Sequence, residues 1–380
     1  MTNQRVRTAR FGTMGATLGL LVMVCLVGCS PKPTPYQWNV PQGFPAPNVP
    51  ADNPITYEKI ELGKALFFEP SLSGNGAMSC SSCHIPEHAF AEPRKTSSGS
   101  TGELGRRNAL ALVNVAYSGS LTWAHNGLQT IEQQLMIPLF NEHPIEMGIT
   151  GNEEQVLARF DTADYRHLFN GAFGDDQITM DRIVKSLASY VRSLTSFSSA
   201  FDDYAYNQND DALNESQLRG MELFFSERLE CFHCHGGFNF TQSSQHAFQQ
   251  LDLRPFHNTG LYNIDGKGAY PQSDQGLIEV TLDPQDMGRF RAPTLRNIEL
   301  TAPYMHDGSL PTLDAVIAFY AAGGLGEGAN SPIKSLFMPG FTLTEQEHND
   351  LKSFLISLTD QEFINNEANQ AHINPPKVNQ

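Results

Sequence analysis

Two short stretches, Cys80-Ser-Ser-Cys-His84 and Cys231-Phe-His-Cys-His235, decide how this chain of 380 residues is expected to fold. Each has the pattern Cys-x-x-Cys-His, which is the attachment motif of a c-type haem. Two thiols one short turn apart can add to the two vinyl groups of one porphyrin, and the next residue places an imidazole under the iron. We therefore expect two covalently bound haem c groups and a chain that can store or move two electrons.

Two other uses of a Cys-x-x-Cys pair fit the sequence less well. A zinc ribbon would place its second cysteine pair about 15–20 residues after the first, whereas here the pairs begin at Cys80 and Cys231. A thiol redox pair of the thioredoxin kind needs a strand–helix–strand context, which the flanking sequence does not suggest. Neither use requires the histidine that follows both pairs.

The N-terminus has the pattern of an export signal. A basic stretch at 5–10 precedes a short apolar run at 16–27, and Leu26-Val-Gly-Cys29 resembles a lipoprotein signal-peptidase box. We expect residues 1–28 to be a cleaved lipoprotein signal peptide and Cys29 to carry lipid. An ordinary secretory signal and an uncleaved anchor are the alternatives. The expected location is the periplasmic side of the cell envelope, lipid-anchored at the surface of the outer membrane.

Charge and cysteine content narrow the classes of partner and of covalent structure. The chain has 41 acidic and 25 basic side chains, a formal net charge of −16. Nucleic-acid binding needs clustered Lys and Arg, so we expect no nucleic-acid partner, while a basic protein partner remains possible. Of the 6 cysteines, two lie in the export signal and four in the haem motifs, which leaves none for a disulfide.

The chain divides into a leader, a linker and two similar halves. Residues 29–54 are rich in proline and polar groups and predict an extended tether. The motif-bearing halves are expected at 55–208, the N-terminal haem domain, and at 209–366, the C-terminal one. Their relationship is an internal repeat, because the same order of glycine, leucine and two phenylalanines precedes each haem motif. These copies are Gly63-Lys-Ala-Leu-Phe-Phe68 and Gly220-Met-Glu-Leu-Phe-Phe225.

The patterning predicts a mostly α fold: two cytochrome-c-like helical haem domains with long loops and little β structure. Apolar residues at helical spacing predict a long helix from Ile183 to Phe197, and a final helix is expected over 343–358. The acidic stretch 202–211 is typical of a domain boundary, and Asn214 or Ser216 could cap the helix that follows. A short ribbon is expected at 276–282.

Several strings outside the haem motifs resemble the bacterial di-haem cytochrome c peroxidase and MauG family. The resemblance spans residues 55–360 in family order, and it implies an open, peroxidatic first haem and a six-coordinate second haem that supplies the other electron. It also implies His84 and His235 as axial ligands. The strings are Glu61-Leu-Gly-Lys-Ala-Leu-Phe-Phe68, Ser73-Gly-Asn-Gly76, Arg107-Asn108, Pro144-Ile-Glu-Met-Gly148, Ala292-Pro-Thr-Leu-Arg-Asn297 and Leu300-Thr-Ala-Pro-Tyr-Met-His-Asp-Gly308.

The sixth ligand of the second haem is where the sequence departs from the family's peroxidases. Those proteins have a methionine seven residues after a leucine that corresponds to Leu313, and here that position is Tyr320, as in MauG. A helix over 312–322 would place both residues on one face. Thioether ligation raises a haem's potential, whereas a phenolate favours the oxidised states. The alternative is a tyrosine packed on an apolar helix face.

The resemblance also implies residues around the first haem. The loop 95–105 has no histidine of the kind that blocks this iron in many relatives, so the first site is expected to be open. Glu146 matches the family's distal carboxylate, which would transfer the proton of bound peroxide, and Gln134 matches its distal glutamine. A solvated carboxylate and a surface amide are the alternatives.

Two further features are expected between the haems. Trp123 matches the relatives' inter-haem tryptophan and could relay electrons, although the next residues depart from the family pattern and a core role is the alternative. Nearby His125 is a second candidate, whereas His88 is interpreted as local. Oxygen atoms of Asn108, Thr301 and Pro303 match a calcium site of relatives, and such ligands suit that ion.

Three functions follow from these features. The first is an exported di-haem oxidoreductase that uses hydrogen peroxide and oxidises a side chain of a periplasmic partner protein, as MauG-like enzymes do. The stretch Tyr36-Gln-Trp-Asn-Val-Pro-Gln-Gly-Phe-Pro resembles a MauG-related subgroup found with methanobactin operons, which implies tryptophan oxidation on a copper-binding partner. The second is a cytochrome c peroxidase supplied with electrons by a c-type cytochrome. The third is a non-enzymatic electron-transfer protein, which requires two six-coordinate irons.

Overall fold

The structure is a computed structural model that describes residues 1–2, 32–249 and 255–370. The expected signal peptide and Cys29 therefore lie outside the described residues, apart from the first two residues of the chain. Within the described ranges, no helix is both long enough and apolar enough to cross a membrane.

The protein is mostly helical, as the sequence predicts. β structure in the described ranges is limited to isolated bridges, such as Pro35 with Thr56 and Ser118 with Ser244. Short 3-10 turns connect the helices, including Cys80–Ser82 in the first haem motif and Pro86–His88 after it. The α-helices are α1 Tyr57–Phe67, α2 Ile131–Phe140, α3 Glu153–Arg159, α4 Ala163–Phe173, α5 Met180–Ser193, α6 Ala200–Tyr206, α7 Glu215–Phe224, α8 Phe232–His235, α9 Ile278–Thr281, α10 Leu313–Ala321, α11 Glu345–Ile356 and α12 Gln361–Asn365.

Polar side chains fix the starts of the helices that precede the two haem motifs. The Thr56 hydroxyl accepts the Lys59 backbone N–H at the start of α1. Asn214 rather than Ser216 caps α7, where it forms a reciprocal capping box with Gln217. Such caps satisfy backbone donors that a helix leaves free at its first turn, so the two equivalent helices begin at defined positions.

The internal repeat appears as two crossed helix pairs, α1 with α5 and α7 with α11. A Cβ atom on Gly63 of α1 would lie 1.9 Å from the Ser186 backbone oxygen of α5. A Cβ atom on Gly220 of α7 would lie 1.9 Å from the Asp350 backbone oxygen of α11. Both crossings are thus so close that only glycine fits, which explains why the repeated hexapeptides begin with it.

Each crossing carries a matching group of four aromatic rings. In the first half the rings pack edge to face, with Phe67 and Phe68 5.2 Å apart at their centroids. In the second half the corresponding pair is 5.1 Å apart. The four rings are Phe67, Phe68, Phe90 and Tyr190 in the first half, and Phe224, Phe225, Phe240 and Phe354 in the second.

Two large apolar cores correspond to these helix pairs. The first core is built almost wholly from residues 62–194, with Phe363 of α12 added from the C-terminal end. The second is built from residues 201–358, with Ala124 added from the first half. Each core therefore surrounds one haem motif, and each receives one residue from beyond its own stretch of chain.

Three local expectations differ from the structure. Residues 276–282 form no ribbon, because Ile278–Thr281 is a short helix, α9. The helix predicted from Ile183 to Phe197 ends at Ser193. Beyond its end, Leu194 packs in the first core and Phe197 in a small separate cluster with Ala116 and Tyr117. Most of the expected tether lies against the body, where Phe44 packs on Phe197, Tyr206 and Phe238.

Candidate functional site: two Cys-x-x-Cys-His turns

The first motif forms a single tight turn that brings its three reactive side chains together. The backbone N–H groups of Cys83 and His84 both donate to the Cys80 carbonyl, at 3.2 and 2.9 Å. Burial raises the pKa of the Cys80 thiol to about 12. A part-buried thiol with a raised pKa, next to a part-buried imidazole, suits a covalent bond to an apolar macrocycle better than a role as an exposed thiolate.

The imidazole of His84 is oriented by a backbone carbonyl. Its Nδ1 lies 2.9 Å from the Phe90 oxygen, and Ala89 and Phe90 both adopt left-handed backbone conformations, with φ of 53° and 59°. Burial lowers the pKa of His84, which favours the neutral ring. A neutral imidazole that donates from Nδ1 leaves Nε2 free to bind a metal.

The second motif repeats this arrangement. The His235 backbone N–H donates to the Cys231 carbonyl at 3.0 Å. Its Nδ1 faces two carbonyl oxygens, Pro293 at 3.1 Å and Phe240 at 3.3 Å. Burial lowers the pKa of His235 to about 4, so this ring is also neutral near pH 7, with Nε2 available.

A cavity of about 210 Å³ opens beside the second motif. Its walls are mainly apolar, as a porphyrin requires. The predicted face of α10 lines it, since Leu313, Val316, Ile317 and Tyr320 all contribute. The same cavity is lined by Cys231, Cys234 and His235, so the structure brings the tyrosine and the motif to one space.

Tyr320 lies close to the thiols of this motif. Burial raises the pKa of its phenol, and the neighbouring Cys234 and Cys231 add to the rise. In the described part of the chain, its hydroxyl makes no hydrogen bond, although Tyr304 in the same cavity donates to the Ile298 carbonyl at 2.9 Å. A metal ion would lower the pKa of such a phenol and supply the partner that the hydroxyl lacks.

A buried arginine fits the propionate groups of a haem. Arg291 lines the cavity, is only 7% exposed and has no ion-pair partner among the described residues. Its Nε is buried without a hydrogen-bond acceptor in the same ranges, and burial lowers its pKa to about 10. An unpaired buried cation is costly, so the cavity favours an anionic ligand. Thiols, imidazole, apolar walls and cation together fit a covalently bound haem.

Of the two residues expected above the first haem, Glu146 lies near the first motif. Glu146 is close enough to Cys80 and Cys83 to raise the pKa of both thiols, and burial raises its own pKa. The side-chain oxygen of Gln134 on α2 is buried with no hydrogen-bond partner in the described ranges. A raised carboxyl pKa and an unpaired amide oxygen are both consistent with groups that face a ligand.

The histidine-free loop 95–105 supports the loop that carries Glu146. The Ser100 N–H donates to the Glu146 carbonyl at 2.7 Å, and the Glu103 carboxylate accepts the Ile145 N–H at 3.0 Å. A Cβ atom on Gly99 would lie 1.7 Å from the Ile145 oxygen. The sequence analysis did not predict this supporting role of the loop. Gly99, a glycine within a polar loop, was the signal that could have indicated it.

Trp123 and the three expected calcium ligands all line the cavity beside the second motif. The Trp123 indole donates to the Asn108 carbonyl at 2.8 Å, and the Trp123 carbonyl accepts the Arg291 N–H at 2.8 Å. Thr301 and Pro303 contribute to the lining of this cavity as well. The tryptophan therefore connects the end of the first half to the second haem pocket.

The other histidine candidates have local partners. His125 accepts the Gly127 N–H at 3.0 Å and is not among the residues that line the cavity. His88 Nδ1 lies 3.2 Å from the Leu300 carbonyl, which links the two halves. Arg291 is the site residue that the sequence analysis did not identify, because a single arginine just before the string Ala292–Asn297 carries no sign of its burial.

The site and fold define a class: a helical protein of two duplicated halves, each with one c-type haem site, as in di-haem oxidoreductases. The family model for di-haem cytochrome c peroxidases matches residues 57–211. Cytochrome-c peroxidase IdrP1 of Pseudomonas sp. (strain SCT) is 34% identical over 334 residues, covering 83% of this chain and 84% of that protein. The chain therefore belongs to the di-haem cytochrome c peroxidase and MauG family, whose members are oxidoreductases with two c-type haems.

Other relatives extend this result. The methylamine utilization protein MauG of Methylophilus methylotrophus is 32% identical, covering 84% of this chain and 86% of that protein. A crystal structure of a MauG-like protein associated with microbial copper homeostasis is 45% identical, with a TM-score of 0.85 over 88% of this chain and 99% of that one. The di-haem peroxidase BthA of Burkholderia thailandensis E264 shares the fold at 23% identity and a TM-score of 0.60, covering 88% of this chain and 95% of that one. Family membership confirms the resemblance and the enzyme class expected from the sequence.

Proposed function

We propose that this protein is an exported, MauG-like peroxide-dependent oxidoreductase. A haem c at the first motif would have an open face, and Tyr320 would be the second axial ligand of the haem c at the other motif. The oxidising power of peroxide would then be held across both sites and used on a side chain of a partner protein. The observation that carries the proposal is the placement of Tyr320 in the cavity of His235, near both motif cysteines.

The residues near the first motif would handle the proton of peroxide. A haem c bound at this motif would offer iron as the binding site for peroxide and would supply the electrons that reduce it, so that the site is left oxidised. Glu146 would take the proton from the near oxygen and return it to the leaving one, which a carboxyl with a raised pKa can do near neutral pH. The unpaired Gln134 oxygen would accept a hydrogen bond from the peroxide and orient it.

We also infer the setting of this activity. The leader, with Cys29 as the lipid-bearing residue, would place the enzyme on the periplasmic side of the outer membrane. Similarity to the protein associated with copper homeostasis favours a periplasmic copper-handling protein as the partner. Trp123 would carry electrons between the first half and the second haem. Asn108, Thr301 and Pro303, which line the same cavity as Trp123, would hold a calcium ion.

The test is ligand replacement at the second haem. In Tyr320→Met, we expect the optical and EPR spectra of the low-spin haem to change and its reduction potential to rise, because a thioether replaces a phenolate. The state formed by peroxide should also decay faster than in the unsubstituted protein. Tyr304→Phe is the matched control, since it removes a hydroxyl in the same cavity that is bonded to a carbonyl. An unchanged low-spin spectrum in Tyr320→Met would show that the tyrosine is not a ligand.

A cytochrome c peroxidase is the second candidate, and the relatives that bear that name at 34% identity favour it. It predicts rapid peroxide turnover with a reduced c-type cytochrome. Slow turnover with such a donor, together with oxidation of a partner side chain seen by mass spectrometry, would support the MauG-like function instead. The non-enzymatic alternative disagrees with membership of a family of oxidoreductases.

A further inference from the structure

The two halves differ at one equivalent position in their aromatic groups. Tyr190 on α5 lies four residues after Ser186, whose carbonyl contacts Gly63. Phe354 on α11 lies four residues after Asp350, whose carbonyl contacts Gly220 in the same way. The crossing therefore needs an aromatic ring at this position, and the second half shows that it does not need a phenol hydroxyl.

The hydroxyl of Tyr190 is also unexplained by packing. The residue is 2% exposed, and its Oη is buried without a hydrogen-bond partner in the described ranges. A buried hydroxyl that makes no hydrogen bond lowers stability relative to phenylalanine. A role other than folding would account for a tyrosine here.

Tyr190 lies between the first haem motif and a surface cleft. Its ring packs 6.5 Å from that of Phe90, the residue whose carbonyl faces His84 Nδ1. It also lies within electrostatic reach of Cys80. On the other side it lines a cleft of about 680 Å³ that includes Tyr36 and the polar residues Ser193, Thr195 and Glu362.

We propose that Tyr190 is a redox-active side chain that discharges the first haem site when no partner protein is bound. The step rests on the proposed function, since peroxide must first oxidise that site. The phenol would then give one electron together with its proton to the oxidised site on its Cys80 side, which leaves a neutral tyrosyl radical. The buried ring next to the His84 loop gives the short path that such a transfer needs.

The test compares the unsubstituted holoenzyme with Tyr190→Phe after one equivalent of peroxide and without a partner. Freeze-quenched samples of the unsubstituted protein should show an organic radical by EPR, and ring-deuterated tyrosine should narrow its signal. In Tyr190→Phe the radical should be lost and the peroxide-oxidised haem spectrum should last several-fold longer. Tyr165→Phe is the control, because this tyrosine packs against the same core and its hydroxyl donates to Glu69 at 3.2 Å. The raised pKa of Tyr165 comes from burial and Glu69, whereas Cys80 also raises that of Tyr190.

Each outcome decides between two statements. A radical that persists in Tyr190→Phe, or that disappears in Tyr165→Phe instead, overturns the role of Tyr190 while the peroxide chemistry stands. If peroxide produces no oxidised haem spectrum in any of the three proteins, the proposed function fails and this inference fails with it. Mass spectrometry of the unsubstituted protein after repeated peroxide additions should find oxidation at Tyr190, a readout independent of turnover.

Discussion

At the scale of single residues, the proposed proton transfer at the first haem site depends on how the Glu146 carboxyl group is held. Glu146 is buried enough to raise its pKa, yet its main chain is fixed by the Ser100 N–H. The loop around it is held further by Glu103. A carboxyl with a raised pKa exchanges protons closer to neutral pH than an ordinary glutamate.

Glu146→Gln tests this carboxyl. We expect kcat/KM for peroxide to fall by about 10²–10⁴-fold, the usual contribution of a positioned acid–base group. The pH profile should change as well. Glutamate acts as a base only when ionised, and its pKa is raised. Activity of the unsubstituted protein should therefore rise with pH through a value above that of an ordinary glutamate.

That rise should be absent in Glu146→Gln. Glu142→Gln is the control, because Glu142 is an exposed carboxylate of the same loop and its loss should leave both the rate and the profile unchanged. A pH profile identical in Glu146→Gln and the unsubstituted protein would assign the proton transfer to another group.

At the scale of elements, the two haem pockets depend on helix crossings that only glycine permits. The glycines begin the repeated hexapeptides, and the partner carbonyls lie on α5 and α11, more than 100 residues away in sequence. The repeat could be predicted because its order of residues is local. The partner of each glycine could not, because nothing in the local pattern specifies which distant helix approaches it.

Gly220→Ala should destabilise the second half. Its Cβ would lie 1.9 Å from the Asp350 carbonyl oxygen, so α7 and α11 must move apart, at a cost of about 3 kcal/mol or more. Gly171→Ala is a matched control in α4, where a Cβ meets no atom within 4 Å and helix propensity favours alanine by about 1 kcal/mol. Urea unfolding followed by circular dichroism would measure both, and equal effects would contradict the close crossing.

Other elements show the same limit of sequence reasoning. The cap at Asn214 and the helix that carries Tyr320 depend on neighbours within one or two turns, and both could be predicted. The ribbon expected at 276–282 was wrong, because Ile278–Thr281 is a short helix from which Val280 and Leu282 are exposed, and only Leu277 at its start packs in the second core. The burial of Arg291 was not foreseen, because it depends on a cavity formed by both halves.

At the scale of the whole molecule, a buried ion pair lies where the halves meet. Both Asp202 on α6 and Arg296 are fully buried, and two hydrogen bonds of 2.8 Å join them. Arg296 also donates to the Phe238 carbonyl and lies 4.7 Å from the centre of the Phe197 ring. The acidic stretch expected to be a polar boundary thus begins with a buried structural carboxylate.

Arg296→Ala should lower the stability of the whole chain. It leaves the Asp202 side chain buried without its partner, at a cost of about 3–5 kcal/mol. Arg166→Ala is the comparison, because its pairs with Asp161 and Asp176 are exposed to solvent, which screens them, so their loss should change the stability little. Urea unfolding of Arg296→Ala, followed by haem absorbance and by circular dichroism, should show a single transition with a lowered midpoint. An Arg296→Ala protein as stable as Arg166→Ala would mean that the buried pair contributes little.

The docking of residues 34–57 onto the body has a consequence for how the enzyme would meet its surroundings. The Thr34 N–H donates to the Glu58 carboxylate at 2.8 Å, and the Tyr36 N–H donates to the Ile55 carbonyl at 3.1 Å. With lipid on Cys29, as proposed, only residues 29–34 would connect the membrane to the folded part of the protein, and a fully extended chain of this length spans at most about 18 Å. The folded part of the protein would then lie directly against the bilayer, and a partner protein could approach it only from the faces that point away from the membrane.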